Sequence, residues 1–386
     1  MKPVWRIEQG LPLKRDVNHG FIMQILYFCL EHVHRFKKKS MKPIQTALAS
    51  YGMSGQVFHG PLLQTHPGFR IVSVYERTRN RSEKKHPEAR IARRYDDLLN
   101  DPHIELIIVN TPDHLHYEMA LQALEKGKHV VIEKPMTLRL QEAELLIEKA
   151  RSNGLILSVF QNRRWDGDFL TVKEVIESHA LGRLVSFESH FDRFRNYIQD
   201  SWKEQDSVGT GTLYNLGSHM IDQALQLFGM PRSLYAVVRG LRTGSRVDDS
   251  FDLFLNYSDI KCFVRGSYLV KETGPRYILH GTRGSFIKYG LDPQEEALKG
   301  GGAPGTKKWG ADDPELYGIL NVESDGGETR DVYPTRPGNY LAYYDTIYEA
   351  LRAGAPLEVK PEEARDVIRI IEAAYQSSSE DRVVPL

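Results

Sequence analysis

A lysine and a glutamate follow a short apolar segment in the middle of the chain. The segment is His129 to Pro135, HVVIEKP, and three of its residues are apolar and β-branched. Such a run is typical of a strand that is buried on both faces, and proline then ends it because it has no N–H to donate. Glu133 and Lys134 would lie at the carboxyl end of a parallel strand, where open α/β sheets bind ligands. A solvated Glu–Lys pair in a loop is the alternative, and this segment alone does not decide.

A second group of polar residues has helical spacing. Asn215, His219 and Asp222 stand at i, i+4 and i+7, which places them on one face of a helix. His219 is a candidate base, because the unperturbed pKa of histidine is ~6.5. The alternative is a histidine with an ordinary structural role in the interior, which the spacing alone favours.

A glycine-containing turn predicts a dinucleotide site. Residues 50–55, SYGMSG, fit G-x-G-x-x-G except that Ser50 replaces the first glycine. Gly52 would let the backbone approach a pyrophosphate, and Gly55 would let the next helix pack on the strand. The N–H groups around Met53 and Ser54 at the helix start favour an anion. A turn that needs glycine only for packing is the alternative.

The residues after the next strand bear on the choice of cofactor. Glu76 ends that strand 21 residues after Gly55 and could accept a hydrogen bond from a ribose 2′-OH, which favours NAD. Arg77 follows it directly, with further arginines at 79 and 81, and arginine suits a 2′-phosphate. A solvated surface is the alternative for these arginines. We expect NADP or NAD, with NADP slightly favoured.

Two further segments are expected to border the cofactor. Thr111, Pro112 and His116 belong to TPDHLH, at the end of the strand before HVVIEKP. Proline breaks the strand there, so the histidine would lie in the first helical turn near the crevice. Arg164 follows the last strand of this half and could reach the same crevice. Glu133 and Lys134, at the end of HVVIEKP, are expected to contact the cofactor as well, with Lys134 bridging cofactor and substrate.

The order of elements predicts two domains. Strands alternate with helices from Ile44 to Gln161, which indicates parallel βαβ units. Later segments alternate apolar and polar residues, as strands do in a sheet with one less buried face. We predict an α/β fold with an N-terminal extension at 1–40, a Rossmann domain at 41–160 and a second α/β domain at 161–386.

Composition excludes several classes of partner. Lys plus Arg and Asp plus Glu both number 51, so no net charge attracts nucleic acid or an anionic membrane. The 2 cysteines give neither a disulfide framework nor a metal-binding pattern, which weakly favours a reducing, cytoplasmic location. The apolar run Phe21 to Leu30 is too short to span a bilayer. We expect the extension to be dispensable, with Met41 as a possible true start; a membrane anchor is the minority alternative.

These motifs, in this order, resemble the Gfo/Idh/MocA oxidoreductases. The resemblance covers about residues 44 to 384, with EKP as its most specific element. GMSGQVFHGP and GTLYNLGSHMIDQALQLFG look most like the scyllo-inositol dehydrogenase subgroup. The resemblance implies a Rossmann domain followed by an α/β domain with a large open mixed sheet, used for substrate binding and for assembly as a homodimer or homotetramer.

The same resemblance implies the chemistry and its residues. In the family an aspartate and, four residues later, a histidine lie beside the substrate; His219 matches the histidine, whereas Asn215 stands at the aspartate position. An amide binds a hydroxyl but does not share in proton transfer. We therefore expect NAD(P)-dependent oxidation of a secondary alcohol in a polyol or sugar, with Lys134 and His219 in the acid–base roles and Asn215 orienting the substrate. An NAD-dependent glycoside hydrolase of the same fold and a non-catalytic NAD(P)-binding regulator are the alternatives.

Overall fold

The structure is a computed structural model that describes residues 42–201, 204–205, 207–324 and 326–386. The predicted extension at 1–40 lies outside the described residues. Pro43–Leu386 forms one compact unit that contains two sheets.

The first sheet has six parallel strands in the order β3-β2-β1-β4-β5-β6. The strands are β1 Ile44–Leu48, β2 Phe69–Tyr75, β3 Arg90–Ala92, β4 Leu106–Val109, β5 His129–Ile132 and β6 Leu157–Val159. The helices between them are α1 Gly60–Thr65, α2 Asp96–Leu99, α3 His116–Glu125 and α4 Leu140–Ser152. A π-helical turn, Gly55–His59, leads into α1.

Burial explains the apolar strands of this sheet. All four residues of β4 are buried, and so are three of the four in β5, since helices cover both faces. The strand order reverses between β1 and β4, which creates a crevice at their carboxyl ends. HVVIEKP is therefore the strand that the sequence predicts, and it ends beside this crevice. The predicted Rossmann fold is confirmed.

The second sheet is large, open and mixed, as predicted. Its nine strands have the order β14-β13-β12-β11-β7-β10-β9-β8-β15, in which β7 and β10 are parallel neighbours. The strands are β7 Leu184–Asp192, β8 Ser233–Arg239, β9 Ser250–Asn256, β10 Lys261–Ser267, β11 Tyr277–Gly281, β12 Gly284–Lys288, β13 Gly318–Ser324, β14 Gly327–Tyr333 and β15 Val384–Pro385. The helices are α5 Gly167–Glu177, α6 Ser218–Phe228, α7 Gln294–Lys299, α8 Leu341–Ala353 and α9 Pro361–Glu380.

Three details differ from what the sequence predicts. The pattern of residues 276–289 predicts a single strand, whereas the structure has the hairpin β11–β12 there. The hairpin β13–β14 was not predicted, because β14 is polar and almost wholly exposed at the sheet edge and shows no apolar alternation. The glycine-rich, polar stretch 291–313 predicts a loop, whereas the structure has helix α7 within it.

Helix α8 contributes its buried face to the first domain although it comes late in the chain. Tyr343 and Tyr344 are fully buried there, and their rings contact Phe160, the residue after β6. The last helix, α9, packs against β8 and α6 of the second domain and against α4 of the first. The C-terminal segment therefore holds the two sheets together. None of the described helices is long and apolar enough to cross a membrane.

Candidate active site

One cavity lies where the crevice of the first sheet meets the second domain. Its volume is about 480 Å³. The first domain contributes the turn after β1, the segment after β4 and the end of HVVIEKP. The second domain contributes the start of α6, the two arginines 193 and 195 that follow β7, and Glu295 and Lys299 of α7. The cavity therefore adjoins both the predicted cofactor residues and the predicted catalytic residues.

The glycine turn has the close packing that a dinucleotide turn requires. A Cβ on Gly55 would lie 2.8 Å from the Ser50 carbonyl oxygen and 3.0 Å from Asn110 Nδ2, so only glycine fits. The Ser50 hydroxyl accepts a 3.2 Å hydrogen bond from the Gly52 N–H, so this serine supports the turn in place of the first glycine. Gly52, Met53 and Ser54 line the cavity, whereas Gly55 is buried behind them.

Two polar atoms beside this turn support the fit of a nucleotide. Asn110 Oδ1 and Thr111 Oγ1 are buried, and neither has a hydrogen-bond partner among the described residues. Both residues line the cavity together with Pro112. Buried polar groups are normally hydrogen-bonded, so a ligand at this place would satisfy them. The residues present therefore fit the predicted cofactor.

Glu76 accepts hydrogen bonds from the loop that follows it. Its Oε1 accepts hydrogen bonds from the Ser82 N–H and hydroxyl at 2.9 and 2.6 Å, and its Oε2 accepts one from the Arg81 N–H at 2.9 Å. Both oxygens thus stabilise the loop 77–82, and Glu76 is buried and is not among the residues that line the cavity. A contact of Glu76 with a ribose stays a prediction. Arg77 is exposed on that loop.

His116 also lies outside the cavity lining. Its ring is fully buried, with Nδ1 2.8 Å from the Pro135 carbonyl oxygen and Nε2 3.0 Å from the Thr111 carbonyl oxygen. It therefore joins the two loops that border the cavity, and its contribution to cofactor binding is indirect. This corrects the expectation that it lines the site.

Glu133 is held by a chain of hydrogen bonds that the sequence did not reveal. Its Oε1 lies 2.9 Å from His59 Nε2, and His59 Nδ1 lies 2.6 Å from the Tyr344 hydroxyl. A carboxylate accepts, so Nε2 carries the proton and Nδ1 accepts from the tyrosine. Burial alone would raise the pKa of Glu133, but the His59 hydrogen bond and nearby positive charges lower it below its ordinary value. His59 and Tyr344 come from distant segments, so no local motif could identify them.

Lys134 reaches from the first domain to the second. Its Nζ donates a 2.8 Å hydrogen bond to the backbone carbonyl oxygen of Asn215, and the Lys134–Pro135 peptide bond is cis. Lys134, Asn215 and His219 all line the cavity. The structure thus brings together the three residues predicted to be catalytic.

A π-helical turn places Asn215 and His219 on the cavity wall. The turn spans Leu213–Gly217 and continues directly into α6. Such turns interrupt the regular α-helical spacing and occur frequently at functional sites. Asp222, predicted on the same face, instead pairs with Arg164 and does not line the cavity.

Arg164 is structural, contrary to the prediction that it binds cofactor. Its Nε and Nη2 donate to the two carboxylate oxygens of Asp222 at 2.8 and 2.7 Å. Its Nη1 donates to Glu363 Oε2 and to the Glu358 carbonyl oxygen. These partners bury it between α6 and the start of α9. The neighbouring Arg163 lines the cavity instead.

Models of one protein family match both domains. The NAD-binding Rossmann fold of the oxidoreductase family matches residues 44–161, and its C-terminal alpha/beta domain matches 173–386. The chain belongs to the Gfo/Idh/MocA oxidoreductase family. Among its Gfo/Idh/MocA relatives, scyllo-inositol 2-dehydrogenase (NADP(+)) IolW of Bacillus subtilis is 42% identical over 90% of this chain and 98% of its own.

Solved structures agree with this family assignment. The oxidoreductase yvaA from Bacillus subtilis superposes with a TM-score of 0.88 at 42% identity, covering 90% of this chain and 99% of its own. An oxidoreductase from Bacteroides fragilis gives a TM-score of 0.83 at 47% identity, covering 89% and 100%. The chain is therefore an oxidoreductase with an NAD-binding Rossmann domain.

Proposed function

We propose that this protein is an NADP-dependent dehydrogenase that acts on a secondary alcohol of a polyol or sugar, or catalyses the reverse reaction. The observation that carries the proposal is the meeting of Lys134 and His219 in one cavity, from opposite domains, beside the nucleotide-binding turn. A proton acceptor and a fixed cation both assist alcohol oxidation, because one takes up the hydroxyl proton and the other stabilises the developing negative charge.

Three residues of the cavity would have different roles in this reaction. His219 would accept the hydroxyl proton at its imidazole, because a neutral imidazole is an effective base near neutral pH. The Lys134 ammonium would stabilise negative charge on the substrate oxygen. Asn215 would orient the substrate through its amide. The nicotinamide supplies the hydride acceptor when it is bound.

The residues expected near the ribose 2′ position of the cofactor favour NADP over NAD. Because Glu76 already accepts three hydrogen bonds from its own loop, few acceptor positions remain on its carboxylate for a ribose diol. The same bonds hold the loop 77–82, which carries exposed arginines at 77, 79 and 81. A 2′-phosphate would find guanidinium partners there. The relative IolW is described as an NADP(+) enzyme, which supports the same choice.

Replacement Arg77→Ala should raise the KM for NADP by about 10- to 100-fold, the loss of one charge-assisted hydrogen bond. The KM for NAD should change little, because NAD has no phosphate at that position. Initial rates measured with both cofactors give the ratio of the KM for NADP to the KM for NAD. An unchanged preference for NADP would remove the role of Arg77.

The reaction itself is tested with a panel of inositols and aldoses, each with NAD and NADP, at the absorbance of the reduced nicotinamide. We expect reduced cofactor to accumulate with at least one polyol. Release of free sugar without net reduction would instead identify a glycoside hydrolase. Cofactor binding without turnover on any compound would favour a regulator.

We also propose that the chain assembles as a homodimer or homotetramer through the outer face of the second sheet. Phe254 and Phe263 pair across β9 and β10, with ring centroids 5.1 Å apart, and Tyr235 on β8 is the register neighbour of Phe254. Farther along, Ile287 on β12 pairs with Ile319 on β13. A partly exposed apolar row across a sheet is typical of a surface that another protein covers.

Replacement Phe263→Asp should convert the assembly to smaller species, because a charge would be buried at the contact. Light scattering after size exclusion measures the mass, and circular dichroism checks the fold. The matched variant Lys261→Asp, two residues away on the same face, should have a smaller effect because Lys261 is exposed at the strand end. An unchanged mass for Phe263→Asp would contradict this contact surface.

A further inference from the structure

The wall that the second domain contributes to the cavity is rich in arginine. Three guanidinium groups surround the buried ring of Phe191 on β7: Arg163 at 5.3 Å, Arg193 at 5.0 Å and Arg276 at 5.2 Å from the ring centroid. A fourth, Arg195, lies 4.9 Å from the centroid of the Tyr268 ring. Aromatic faces attract cations, so these rings fix the positions of the guanidinium groups.

Two of the three arginines around Phe191 have protein partners. Arg163 donates to Asp166 at 3.0 Å and also pairs with Glu295. Arg276 donates at 2.8 Å to the Ser189 hydroxyl and to the His190 carbonyl oxygen. Arg276 Nε also lies 3.6 Å from Asp168 Oδ2, so a carboxylate lies beside each of the two charges, although the Nε of each arginine has no hydrogen-bond partner among the described residues.

Arg193 differs from both. Among the described residues, no carboxylate pairs with its guanidinium and no acceptor takes its side-chain N–H groups; its ring contact with Phe191 remains. Its side chain is partly buried and lines the cavity. Arg195, which lines the same cavity, donates instead to Gln199 Oε1 at 2.9 Å.

The surrounding charges compensate Arg193 only in part. The carboxylate of Glu295 pairs with Arg163 and, at 2.9 Å, with Lys299. Burial lowers the pKa of Arg193; Tyr268 and Glu295 oppose this shift, whereas the positive charges of Arg163 and Arg195 add to it. A partly buried cation is costly unless a counter-charge arrives, and guanidinium binds carboxylate or phosphate through paired hydrogen bonds.

We propose that Arg193 binds an oxyanion carried by the substrate, so that the preferred polyol or sugar bears a carboxylate or a phosphate group. This inference rests on the dehydrogenase function proposed above. Lys134 and His219 line the same cavity, so one molecule would present its hydroxyl to them and its anionic group to Arg193. The anion would complete the pairing that the protein leaves open at this arginine.

The test compares D-glucose and myo-inositol with D-gluconate, D-glucuronate and D-glucose 6-phosphate, using the full chain saturated with NADP. Both KM and calorimetric binding are measured. We expect tighter binding and a lower KM for one class of anionic compound than for the neutral compounds. Comparison of the two carboxylates with the phosphate identifies whether Arg193 prefers a carboxylate or a phosphate group. Equal or better use of the neutral compounds would overturn the proposal.

The variant Arg193→Gln should weaken binding of the preferred anionic compound by about 10- to 100-fold and leave the affinity for NADP unchanged. Arg193→Lys keeps the charge and the aliphatic stem, so it should retain part of the affinity. The control Arg183→Gln removes an exposed arginine of the same domain outside the cavity and should have no effect. An equal loss for neutral and anionic compounds, or a loss of NADP affinity, would contradict the assignment.

These experiments distinguish failure of the proposed dehydrogenase function from failure of the proposed anion site at Arg193. If no compound is oxidised but anion binding still depends on Arg193, the dehydrogenase function fails and the anion site stands. If neutral polyols are oxidised and the variant behaves as wild type, the anion site fails and the function stands.

Discussion

Replacement of Lys134 by methionine is expected to reduce kcat by about 10²- to 10³-fold, the usual effect of removing one group that stabilises developing charge. The ammonium is held by the Asn215 carbonyl oxygen 2.8 Å away, so it lies in a fixed position on the cavity wall. Methionine preserves the stem and removes the charge. Steady-state rates on the substrate identified by the panel give the change.

The controls for Lys134 separate chemistry from binding. Fluorescence titration with NADPH should still show binding, because Gly52, Ser54 and Thr111 are unaffected and only the contact of Lys134 with the cofactor is lost. Replacement Lys128→Met serves as a matched variant, since Lys128 is anchored to the carbonyl oxygens of Asp101 and Ile104 outside the cavity. Unimpaired kcat in Lys134→Met would show that the ammonium does not take part.

Replacement His219→Gln should lower kcat for alcohol oxidation by about 10²- to 10⁴-fold, the range for loss of a general base. In the wild type, oxidation should slow as pH falls, because a protonated imidazole cannot accept the hydroxyl proton. The glutamine variant should lose this dependence together with most of its rate. A pH profile of kcat on wild type and variant measures both.

A purely structural histidine would behave differently. The variant would then lose stability, and its residual activity would keep the wild-type dependence on pH. Thermal unfolding of the variant, with and without NADP, provides the comparison. The same experiment on Asn215→Asp tests whether an acidic group at this position adds a second ionisation to the profile.

The sequence predicts those features that depend on local pattern. HVVIEKP is apolar because helices cover both faces of its strand, and the glycine turn is close-packed because Gly55 contacts the Ser50 backbone. Both could therefore be identified from the residues themselves. The polar edge hairpin β13–β14 could not, since its residues lack the alternation that burial imposes.

The partners of charged side chains are the part that the sequence did not predict. Glu76 and Arg164 have the residue types and positions expected of cofactor contacts, yet one bonds its own loop and the other pairs with Asp222. A charged residue near a crevice has several partners within reach, and long-range contacts decide among them. For the same reason the sequence did not predict the hydrogen bond between His59 and Glu133, which lie far apart in the chain.

The proposed oxidation of a secondary alcohol by the cofactor, in the cavity that Lys134 and His219 line, can be followed by isotope transfer. The most direct measurement is a single turnover of enzyme and NADP with substrate deuterated at the reacting carbon. We expect the turnover to slow and deuterium to be recovered in the nicotinamide of the reduced cofactor, in proportion to the ketone formed. Reduced cofactor without deuterium, or free sugar released with no net reduction, would contradict it.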